Sequence, residues 1–222
     1  MGKVPVITID GLSGAGKGTV SKMLCNELGW NILDSGALYR TLTFLIEKKE
    51  IDIDDFIHKK DEFLRDFEVS FQVGSLGEPV SVFLKEEDIT DLVRTEKIAE
   101  KTSAFSSLKE IRDFIRPCQR AFKQPPGLIA DGRDMGTVIF PEAKTKIFLT
   151  ASIEERAKRR ETQLKRQGSR VNMPILLNEL EARDKKDTER ELSPLKPAKG
   201  SVVINTTKLS PEEVLKEIKS YL

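Results

Sequence analysis

A glycine-rich turn near the start of the chain limits the folds that this sequence can adopt. The turn reads GLSGAGKGT over residues 11–19, and it follows the β-branched, apolar segment 4–9. Beyond it, Val20 and Leu24 recur at helical spacing, and Gly29 offers a helix stop. A buried strand, a glycine-rich turn and a helix, in that order, predict a parallel α/β unit with a phosphate-binding loop.

The residues of this loop suit the binding of phosphate. Glycines let backbone N–H groups turn inward, the start of the helix adds a positive end, and Lys17 brings an ammonium group to the outer phosphates. Glycine-rich turns also occur as packing devices, but here the spacing, the lysine and the flanking elements agree. The candidate phosphate-binding residues are Gly11, Ser13, Gly14, Ala15, Gly16, Lys17, Gly18 and Thr19.

One position of the loop departs from the usual pattern. Gly18 stands where many phosphate-binding loops have a magnesium-binding Ser or Thr, and Thr19 comes one position later. Because Mg²⁺ loses its water shell reluctantly, we expect it to be held chiefly by waters, phosphates and a carboxylate at a strand end.

The rest of the chain predicts an α/β fold. Helical patterns alternate with four further short apolar segments, at residues 31–33, 127–131, 146–149 and 201–204. Two serine–glutamate pairs, Ser152 with Glu155 and Ser210 with Glu213, have the spacing of a capping box and predict helix starts.

A different pattern lies between these units. Residues 67–73 alternate between apolar and polar side chains, a turn follows, and residues 80–84 are again typical of a strand. This pattern predicts an antiparallel hairpin, which does not belong inside a parallel sheet. We therefore expect an insertion over residues 40–100 and a core domain formed by residues 1–39 and 101–222.

Composition excludes several classes of protein. The 222 residues are 38% hydrophobic and 33% charged, with a formal net charge of +1. Global disorder is excluded, and no field of the whole chain attracts nucleic acid or anionic lipid. No apolar run approaches the roughly 20 residues of a membrane span. The start of the chain lacks signal-peptide features, and the only cysteines, Cys25 and Cys118, are read as reduced thiols, so we expect a cytoplasmic protein.

Two further runs place arginines where strands are expected to end. The first is residues 34–40, which contains Arg40, and the second is residues 131–137, which contains Arg133. A guanidinium group can hold phosphate through two parallel hydrogen bonds. A single arginine in either place is as well explained by solvent exposure, but both together indicate a second anion beside the loop.

Two helical stripes mix charged and apolar residues. They are Leu176, Leu180, Arg183, Asp187 and Arg190 in one, and Phe105, Leu108, Arg112, Ile115 and Phe122 in the other. Charged groups on a face that also carries core residues are either paired with one another or bound to a ligand. A buried ion ladder and a binding site both remain open for the first stripe, and Pro117 weakens the periodicity of the second.

These motifs together resemble those of the bacterial cytidylate kinases, over residues 4–205. The resemblance is carried by Ile9-Asp10-Gly11, the loop 14–19, the run 34–40, Gln119-Arg120-Ala121-Phe122, the run 130–137 and Arg183-Asp184. It implies a P-loop NTPase-type five-stranded parallel sheet flanked by helices. It also implies an inserted domain that binds a nucleoside monophosphate and contains a small antiparallel sheet, and a helical lid over residues 153–172.

The resemblance further implies a reaction, in which the γ-phosphate of ATP is transferred to CMP and dCMP in the presence of Mg²⁺. The implied CMP-binding residues are Ser103, Arg112 and Asp134 for the cytosine, Ser35, Arg40, Arg133 and Arg190 for the phosphate, and Arg183 and Asp187 for the ribose, with Tyr39 in the same set. The implied catalytic residues are Lys17, Arg133, Asp131 and Arg190, with Asp131 reaching the metal through water. The lid arginines are Arg156, Arg159 and Arg160, and we expect a monomer.

Three alternatives stay open on the sequence. The chain could be a kinase for another monophosphate, UMP or AMP. It could be a nucleotide-dependent switch of the GTPase type, although no Asn-Lys-x-Asp sequence is present. A structural or nucleic-acid-binding module is disfavoured by the balanced charge and the lack of an aromatic RNA-binding motif.

Overall fold

The computed structural model describes residues 4–75, 78–166, 168 and 170–222. Its strands are β1 (Val6–Gly11), β2 (Asn31–Asp34), β3 (Val69–Gln72), β4 (Ser81–Leu84), β5 (Glu87–Asp88), β6 (Leu128–Gly132), β7 (Thr145–Thr150) and β8 (Val202–Asn205). Its helices are α1 (Lys17–Leu28), α2 (Ser35–Lys48), α3 (Ile53–His58), α4 (Lys60–Asp66), α5 (Thr90–Val93), α6 (Glu96–Phe105), α7 (Lys109–Ala121), α8 (Ile153–Arg166), α9 (Met173–Glu189) and α10 (Pro211–Lys219). One turn of π-helix, Met135–Ile139, follows β6 and is called the wide turn below.

The main sheet confirms the predicted fold class. It has five parallel strands in the order β2-β6-β1-β7-β8, and a separate three-stranded antiparallel sheet has the order β3-β4-β5. Asp34 pairs with Asp131 in the register of β2 with β6, and Asp10 pairs with Gly132 in that of β1 with β6. The carboxyl ends of the three strands therefore lie side by side, which is where α/β sheets bind ligands.

Hydrophobic side chains cover both faces of the parallel sheet. Leu128 and Ala130 of β6 join a cluster on one face, whereas Ile129 joins the cluster on the other face, with Val20 and Leu24 of α1. This alternation is expected of a strand that is buried on both sides.

The segment that we treat as an insertion is joined closely to the rest of the chain. Helix α2 runs through residue 40 and α6 runs through residue 100, so both expected boundaries fall inside helices. Phe56 and Val82, from within the segment, share one hydrophobic cluster with Ile111 of α7. The division into an insertion and a core domain remains a prediction.

A buried lysine ties the hairpin of the second sheet to the first helix. Lys22 of α1 donates from Nζ to the carbonyl oxygen of Ser75, at 2.8 Å, and to that of Glu78. Val80, next to this turn, packs in the same cluster as Val20 and Leu24. The turn between β3 and β4 is therefore anchored on the helix that follows the glycine-rich loop.

The predicted helix starts are right, but one cap differs. Ser210 and Glu213 form both halves of a capping box. At α8, the Ser152 hydroxyl accepts from the Glu155 N–H at 3.3 Å, whereas the Glu155 carboxylate accepts from Arg159 instead of returning to the backbone. The second half of that capping box was predicted wrongly, because the arginine is the stronger partner.

The second stripe, drawn from Phe105 to Phe122, is not a single helix. Helix α6 ends at Phe105 and α7 begins at Lys109, so the regular spacing crosses a break in the backbone. Within α7, Arg112 and Ile115 are both buried, as the pattern predicted. The helix continues through Pro117, since Pro117 and Asp113, whose carbonyl loses its helical partner, are both exposed to solvent.

The two thiols are free, Cys25 being buried and Cys118 half-buried. Burial raises the pKa of Cys25 to about 12, so its thiol stays protonated. Over the described ranges, the helices include none that is both long and apolar enough to traverse a bilayer.

An aromatic contact joins the segment 40–100 to α7 and gives a test of their shared core. Phe56 is fully buried, with its ring centroid 5.1 Å from that of Phe63 and 5.3 Å from that of Phe114. We expect Phe56→Ala to lower the free energy of unfolding by about 3–5 kcal/mol, because it leaves a cavity in this cluster. Urea denaturation gives the value. Leu64→Ala is the control, since Leu64 is 55% exposed, and a loss as large in the control would contradict the shared core.

Candidate active site

The glycine-rich loop joins β1 to α1 as the sequence predicts. At Gly11, φ is +145° and a Cβ atom would lie 2.0 Å from the carbonyl oxygen of Leu149, so only glycine fits. Gly14 and Gly16 also have positive φ. Ser13, Ala15, Gly18 and Thr19 complete the curve from the strand to the first turn of the helix, with Ala15 buried and Thr19 exposed. The loop therefore has the backbone shape that binding of phosphate requires.

Lys17 lies at the start of α1 and points back over the loop. Its side chain donates from Nζ to the carbonyl oxygen of Leu12 at 3.0 Å, and the residue is 7% exposed. Burial, followed by the nearby Arg133 guanidinium, lowers the pKa of Lys17 to about 7. An anion placed at the loop would restore the charge of this lysine.

Asp131 stands at the end of β6, facing the start of α1. A Cβ atom on Gly18 would lie 3.6 Å from its Oδ2, so the carboxylate and the loop are neighbours. Burial raises the pKa of Asp131 to about 6, Lys17 lowers it, and Asp34 on the adjacent strand raises it again. Two neighbouring carboxylates beside a phosphate-binding loop are hard oxygen donors, which suit hydrated Mg²⁺. The residues present therefore fit the metal that the sequence implies.

The run after β2 forms one wall of a cleft beside the loop. Asp34 caps α2 by accepting from the Ala37 N–H at 2.9 Å. The buried hydroxyl of Ser35 accepts from Nε2 of Gln119 at 2.8 Å. Burial lowers the pKa of Arg40, with Asp34 acting in the opposite direction. Ser35 and Arg40 therefore lie together on α2, directly after β2, and their binding of a second anion stays a prediction.

Arg94 is a part of this wall that the sequence analysis did not include. Its Nη2 donates to the carbonyl oxygen of Val80 at 2.8 Å and lies 3.5 Å from Oδ2 of Asp34. It also lies close enough to Arg40 to lower the pKa of that arginine. Residues 34 and 94 lie 60 positions apart in the sequence. No local pattern could therefore indicate that they form a pair.

Asp187 of α9 forms ion pairs with two arginines. Nε of Arg133 lies 3.0 Å from its Oδ2, and Nη1 of Arg190 lies 3.7 Å from its Oδ1. Arg190 follows the last residue of α9 and donates from Nε to the carbonyl oxygen of Ser193 at 2.7 Å. Its Nη2 is buried, with no hydrogen-bond partner among the described residues.

Arg183 adds a further positive charge to this group. Burial and then Arg133 lower the pKa of Arg183 to about 10, and Arg40 contributes in the same direction. The ion ladder that the sequence left open is thus partly realised, since Asp187 pairs with Arg133 and Arg190, and a binding site at this stripe stays a prediction. The three arginines around Asp187 outnumber its single carboxylate. Such an imbalance favours a ligand with several negative charges.

Arg112 and Asp134 form an ion pair at the inner end of the cleft. They are 5% and 3% exposed, and Nη2 of Arg112 donates to Oδ2 of Asp134. Nη1 of Arg112 donates to the carbonyl oxygen of Ser106 at 2.9 Å, and its guanidinium lies 5.8 Å from the ring centroid of Tyr39. Ser103 is half-buried one turn before Ser106 on the same side. The structure thus brings Arg112 and Asp134 together, and the binding of a base by these residues and Ser103 stays a prediction.

Tyr39 keeps its proton in this setting. Burial raises the pKa of its hydroxyl to about 12, although Arg112 acts in the opposite direction. Its ring therefore offers a neutral apolar face beneath the guanidinium.

Asp10 is the second residue that the sequence analysis left without a role. It is 3% exposed, and its Oδ1 and Oδ2 accept from the N–H groups of Met135 and Gly136, each at 2.8 Å. Burial raises the pKa of Asp10 to about 7, and the two N–H donors act in the opposite direction. The sequence offered two signals, a carboxylate within a mostly apolar strand and its place in the motif Ile9-Asp10-Gly11, and neither indicates its hydrogen-bond partners.

The three predicted lid arginines, all on α8, are held in different ways. Arg156 is buried and donates to the carbonyl oxygens of Ala151 and Ser13, so its side chain is not solvated. Arg159 donates to Oγ1 of Thr206 at 3.0 Å and to its carbonyl oxygen at 2.7 Å. Arg160 pairs with Glu96 of α6. Closure of this helix over a nucleotide remains a prediction.

The strand order and the glycine-rich loop are those of a P-loop kinase, and buried arginines lie beside the loop. The cytidylate kinase family model matches residues 7–222. The chain therefore belongs to the cytidylate kinase family.

Curated relatives agree with this assignment. The cytidylate kinase of Pseudomonas entomophila (strain L48) is 47% identical over 224 residues, covering 99% of this chain and 96% of that protein. The cytidylate kinase of Stutzerimonas stutzeri (strain A1501) is 48% identical over 217 residues, covering 98% of this chain and 94% of that protein. Among solved structures, a shikimate kinase from Bacteroides thetaiotaomicron aligns with a TM-score of 0.44 and 11% identity, over 97% of this chain and 95% of that one.

The lowered pKa of Lys17 leads to a prediction about proton uptake. At pH 8 the amine is mostly neutral, because its pKa is about 7. Phosphates placed next to it favour the charged form and raise that pKa, so binding of ATP at pH 8 should take up about one proton. Calorimetric titration with ATP in two buffers of different ionisation enthalpy measures the uptake. Lys17→Arg is the matched control, since it stays charged throughout, and equal uptake in that variant would contradict the assignment.

Proposed function

We propose that the protein transfers the γ-phosphoryl group of ATP to CMP and to dCMP, giving ADP with CDP or dCDP. One observation carries the proposal: buried cations cluster beside the glycine-rich loop, with Lys17 and Arg133 near Asp131, and with Arg133, Arg183 and Arg190 near Asp187. Cations packed this closely repel one another, and two phosphorylated nucleotides that meet there would relieve the repulsion. Membership of the cytidylate kinase family supports the choice of acceptor.

The two substrates would bind to different parts of the site. The loop 11–19 would bind the phosphates of ATP through backbone N–H groups and Lys17. Ser35 and Arg40 on one wall, with Arg133 and Arg190 on the other, would hold the phosphate of CMP. Arg190 carries the buried Nη2 that lacks a partner among the described residues, which suits a group that binds a phosphate oxygen.

The chemistry needs placement more than it needs a base. A monophosphate oxygen is already a nucleophile, so the protein has to hold two mutually repelling anions in line and to cancel the charge that develops between them. Lys17, Arg133 and Arg190 would supply that charge. Mg²⁺ bound with ATP would neutralise phosphate oxygens, and Asp131 would orient it through water.

Arg112 and Asp134 would read the cytosine. A carboxylate can accept from the 4-amino group, and a guanidinium can donate to N3 and O2, with the Ser103 hydroxyl as an additional partner. Because Arg112 and Asp134 are already paired and buried, their side chains are held in place before the base arrives. Arg183 and Asp187 would bind the ribose hydroxyls.

Three further features belong to the proposal. Arg156, Arg159 and Arg160 of α8 would close over ATP, which excludes water from the transfer. The protein would act as a monomer. It would work in the cytoplasm, with nucleotides as its partners and neither nucleic acid nor membrane.

A panel of acceptors tests the function directly. With ATP and Mg²⁺, ADP release should be fast with CMP and dCMP, slower with UMP and slowest with AMP. Lys17→Met serves as the control for contaminating kinases, and its turnover should fall by about a hundredfold or more, because it loses charge that stabilises the transition state. Preference for AMP would contradict the assigned acceptor, and ADP release independent of any acceptor would contradict the kinase assignment.

The Arg112–Asp134 pair gives a test of base recognition. We expect Arg112→Ala to raise the KM for CMP roughly 10- to 100-fold and to leave the KM for ATP within about twofold, because it removes a charged hydrogen-bond donor to the base. Steady-state kinetics with each substrate varied in turn give both values.

The same change leaves Asp134 buried without its partner, which costs about 3–5 kcal/mol of stability. The double variant Arg112→Met with Asp134→Asn removes both charges and keeps the volume, so it separates recognition from folding. Equal losses for CMP and ATP in the double variant would show that this pair does not read the base.

A further inference from the structure

The carboxylate of Asp10 joins two parts of the chain that are distant in sequence, β1 and the turn that follows β6. Asp10 is the residue before Gly11 on β1, and its two oxygens accept from Met135 and Gly136, each at 2.8 Å. These N–H groups open the wide turn 135–139, so the carboxylate supplies the partners that the first residues of a helical turn lack. Wide turns of this kind occur often at functional sites.

The two hydrogen bonds fix the backbone that carries the acceptor residues. The N–H of Met135 belongs to the same planar peptide unit as the carbonyl of Asp134, and the N–H of Gly136 belongs to the next unit. Only the first of these planes adjoins the Cα atom of Asp134, so holding it limits the ψ angle of Asp134 and thereby the direction in which its side chain leaves the chain. Arg133 is one residue further back, and it reaches Asp187 across the cleft.

Other contacts hold this turn as well. The carbonyl oxygen of Asp134 accepts from the N–H groups of Val138 and Ile139 at 2.9 and 3.2 Å, and Arg120 donates to the carbonyl oxygens of Val138 and Ile139 at the far end. Gly136 is pressed close to β1, since a Cβ atom there would lie 2.9 Å from Oγ1 of Thr8 and 3.3 Å from Oδ2 of Asp10. The carboxylate is the acceptor for the first two N–H groups of the turn, and it thereby fixes the turn against β1.

The glycine-rich loop depends on the carboxylate much less. The backbone of β1 is hydrogen-bonded on both sides, Asp10 being paired with Gly132 of β6 and with Phe148 of β7. The loop is attached to that backbone, and a change confined to the Asp10 side chain leaves the ladder intact. Loss of the carboxylate also removes a charge that favours the protonated form of Lys17, but it leaves the backbone of the loop in place, so it should affect the acceptor side more than the binding of ATP.

We propose that Asp10 is a positioning residue for the acceptor, which holds Asp134 and Arg133 in the orientation that binds the base and the phosphate. Asp10 touches neither substrate in this assignment and acts only through the turn 134–136. The inference rests on the proposed function in so far as the acceptor is CMP. It adds Asp10, on the strand β1 that leads into the loop proposed to bind ATP, as a residue that controls selectivity for the acceptor nucleotide.

The matched pair Asp10→Asn and Thr8→Val tests the proposal. Asparagine keeps the shape but offers one acceptor oxygen in place of two, so one N–H loses its partner. Thr8 is buried on the same strand against Gly136, and its Oγ1 has no hydrogen-bond partner among the described residues, so valine disturbs the packing without removing an acceptor. Kinetics with CMP, UMP and ATP varied separately give the result, with thermal unfolding as a check on folding.

We expect Asp10→Asn to raise the KM for CMP about tenfold, to keep the KM for ATP within about twofold and to lower the ratio of kcat/KM for CMP over UMP. Thr8→Val should keep all three values. A merely structural role would affect both substrates alike and leave the CMP-to-UMP ratio unchanged. An equal rise in both KM values, or an unchanged ratio, would overturn the proposal.

A second variant keeps the test decisive if Asp10→Asn does not fold. Gly136→Ala pushes the turn away from an intact carboxylate, because its Cβ atom would lie 2.9 Å from Thr8 Oγ1 and 3.2 Å from Ala198 Cβ. It should reproduce the selective loss for CMP and the lower CMP-to-UMP ratio. A wild-type ratio in a folded Gly136→Ala protein would overturn the proposal.

An NMR measurement separates this inference from the proposed function. In the wild-type protein, the amide protons of Met135 and Gly136 should lie downfield, and Asp10→Asn should shift them together with the signals of Asp134 and Arg112. Shifts confined to residues 135 and 136 would overturn the positioning role. If the wild-type protein failed to use CMP, the proposed function would fail, and this measurement would still decide whether the carboxylate positions the turn.

Discussion

The parallel hydrogen-bond ladder that joins β2, β6 and β1 is the constraint on which the site depends. It brings the carboxyl ends of three strands to one edge, and therefore places Asp34, Asp131 and the glycine-rich loop next to one another. These groups are far apart along the sequence. A change of one residue in the register of β6 would carry Asp131 to the other face of the sheet and would separate Arg133 from the loop.

The second determinant is the cost of burying positive charge. Lys17 and Arg183 both have lowered pKa values because burial and neighbouring guanidinium groups disfavour their charged forms. Asp187 offsets part of this cost, and burial of its carboxylate is outweighed by Arg133, Arg190 and Arg183, so its pKa is lowered. The remaining imbalance of charge is the physical ground on which we propose that this site binds polyanions. We propose that selectivity for a particular base arises at the ion pair of Arg112 and Asp134, whose charges balance.

Local signals in the sequence account for most of the fold and for much of the site. The strands, the glycine-rich loop and the hairpin have patterns with short periods, and the structure contains each of them within a few residues of the predicted bounds. The stripe from Phe105 to Phe122 shows the limit of such patterns, because periodicity continued across the backbone break that follows Phe105. Arg94 and Asp10 were missed for a related reason. Their partners lie far along the chain, and only tertiary packing brings them together.

The Lys22 contact has a consequence for how the hairpin turn can vary. Both of its acceptors, in Ser75 and Glu78, are main-chain carbonyl groups, which every amino acid carries. The side chains at positions 75 and 78 can therefore change without loss of these hydrogen bonds, although the Glu78 carboxylate favours the charged form of Lys22. Position 22 has no such freedom, since a shorter or uncharged side chain would leave two carbonyls without their donor. Substitutions should therefore accumulate faster in the hairpin turn than at position 22 of the helix.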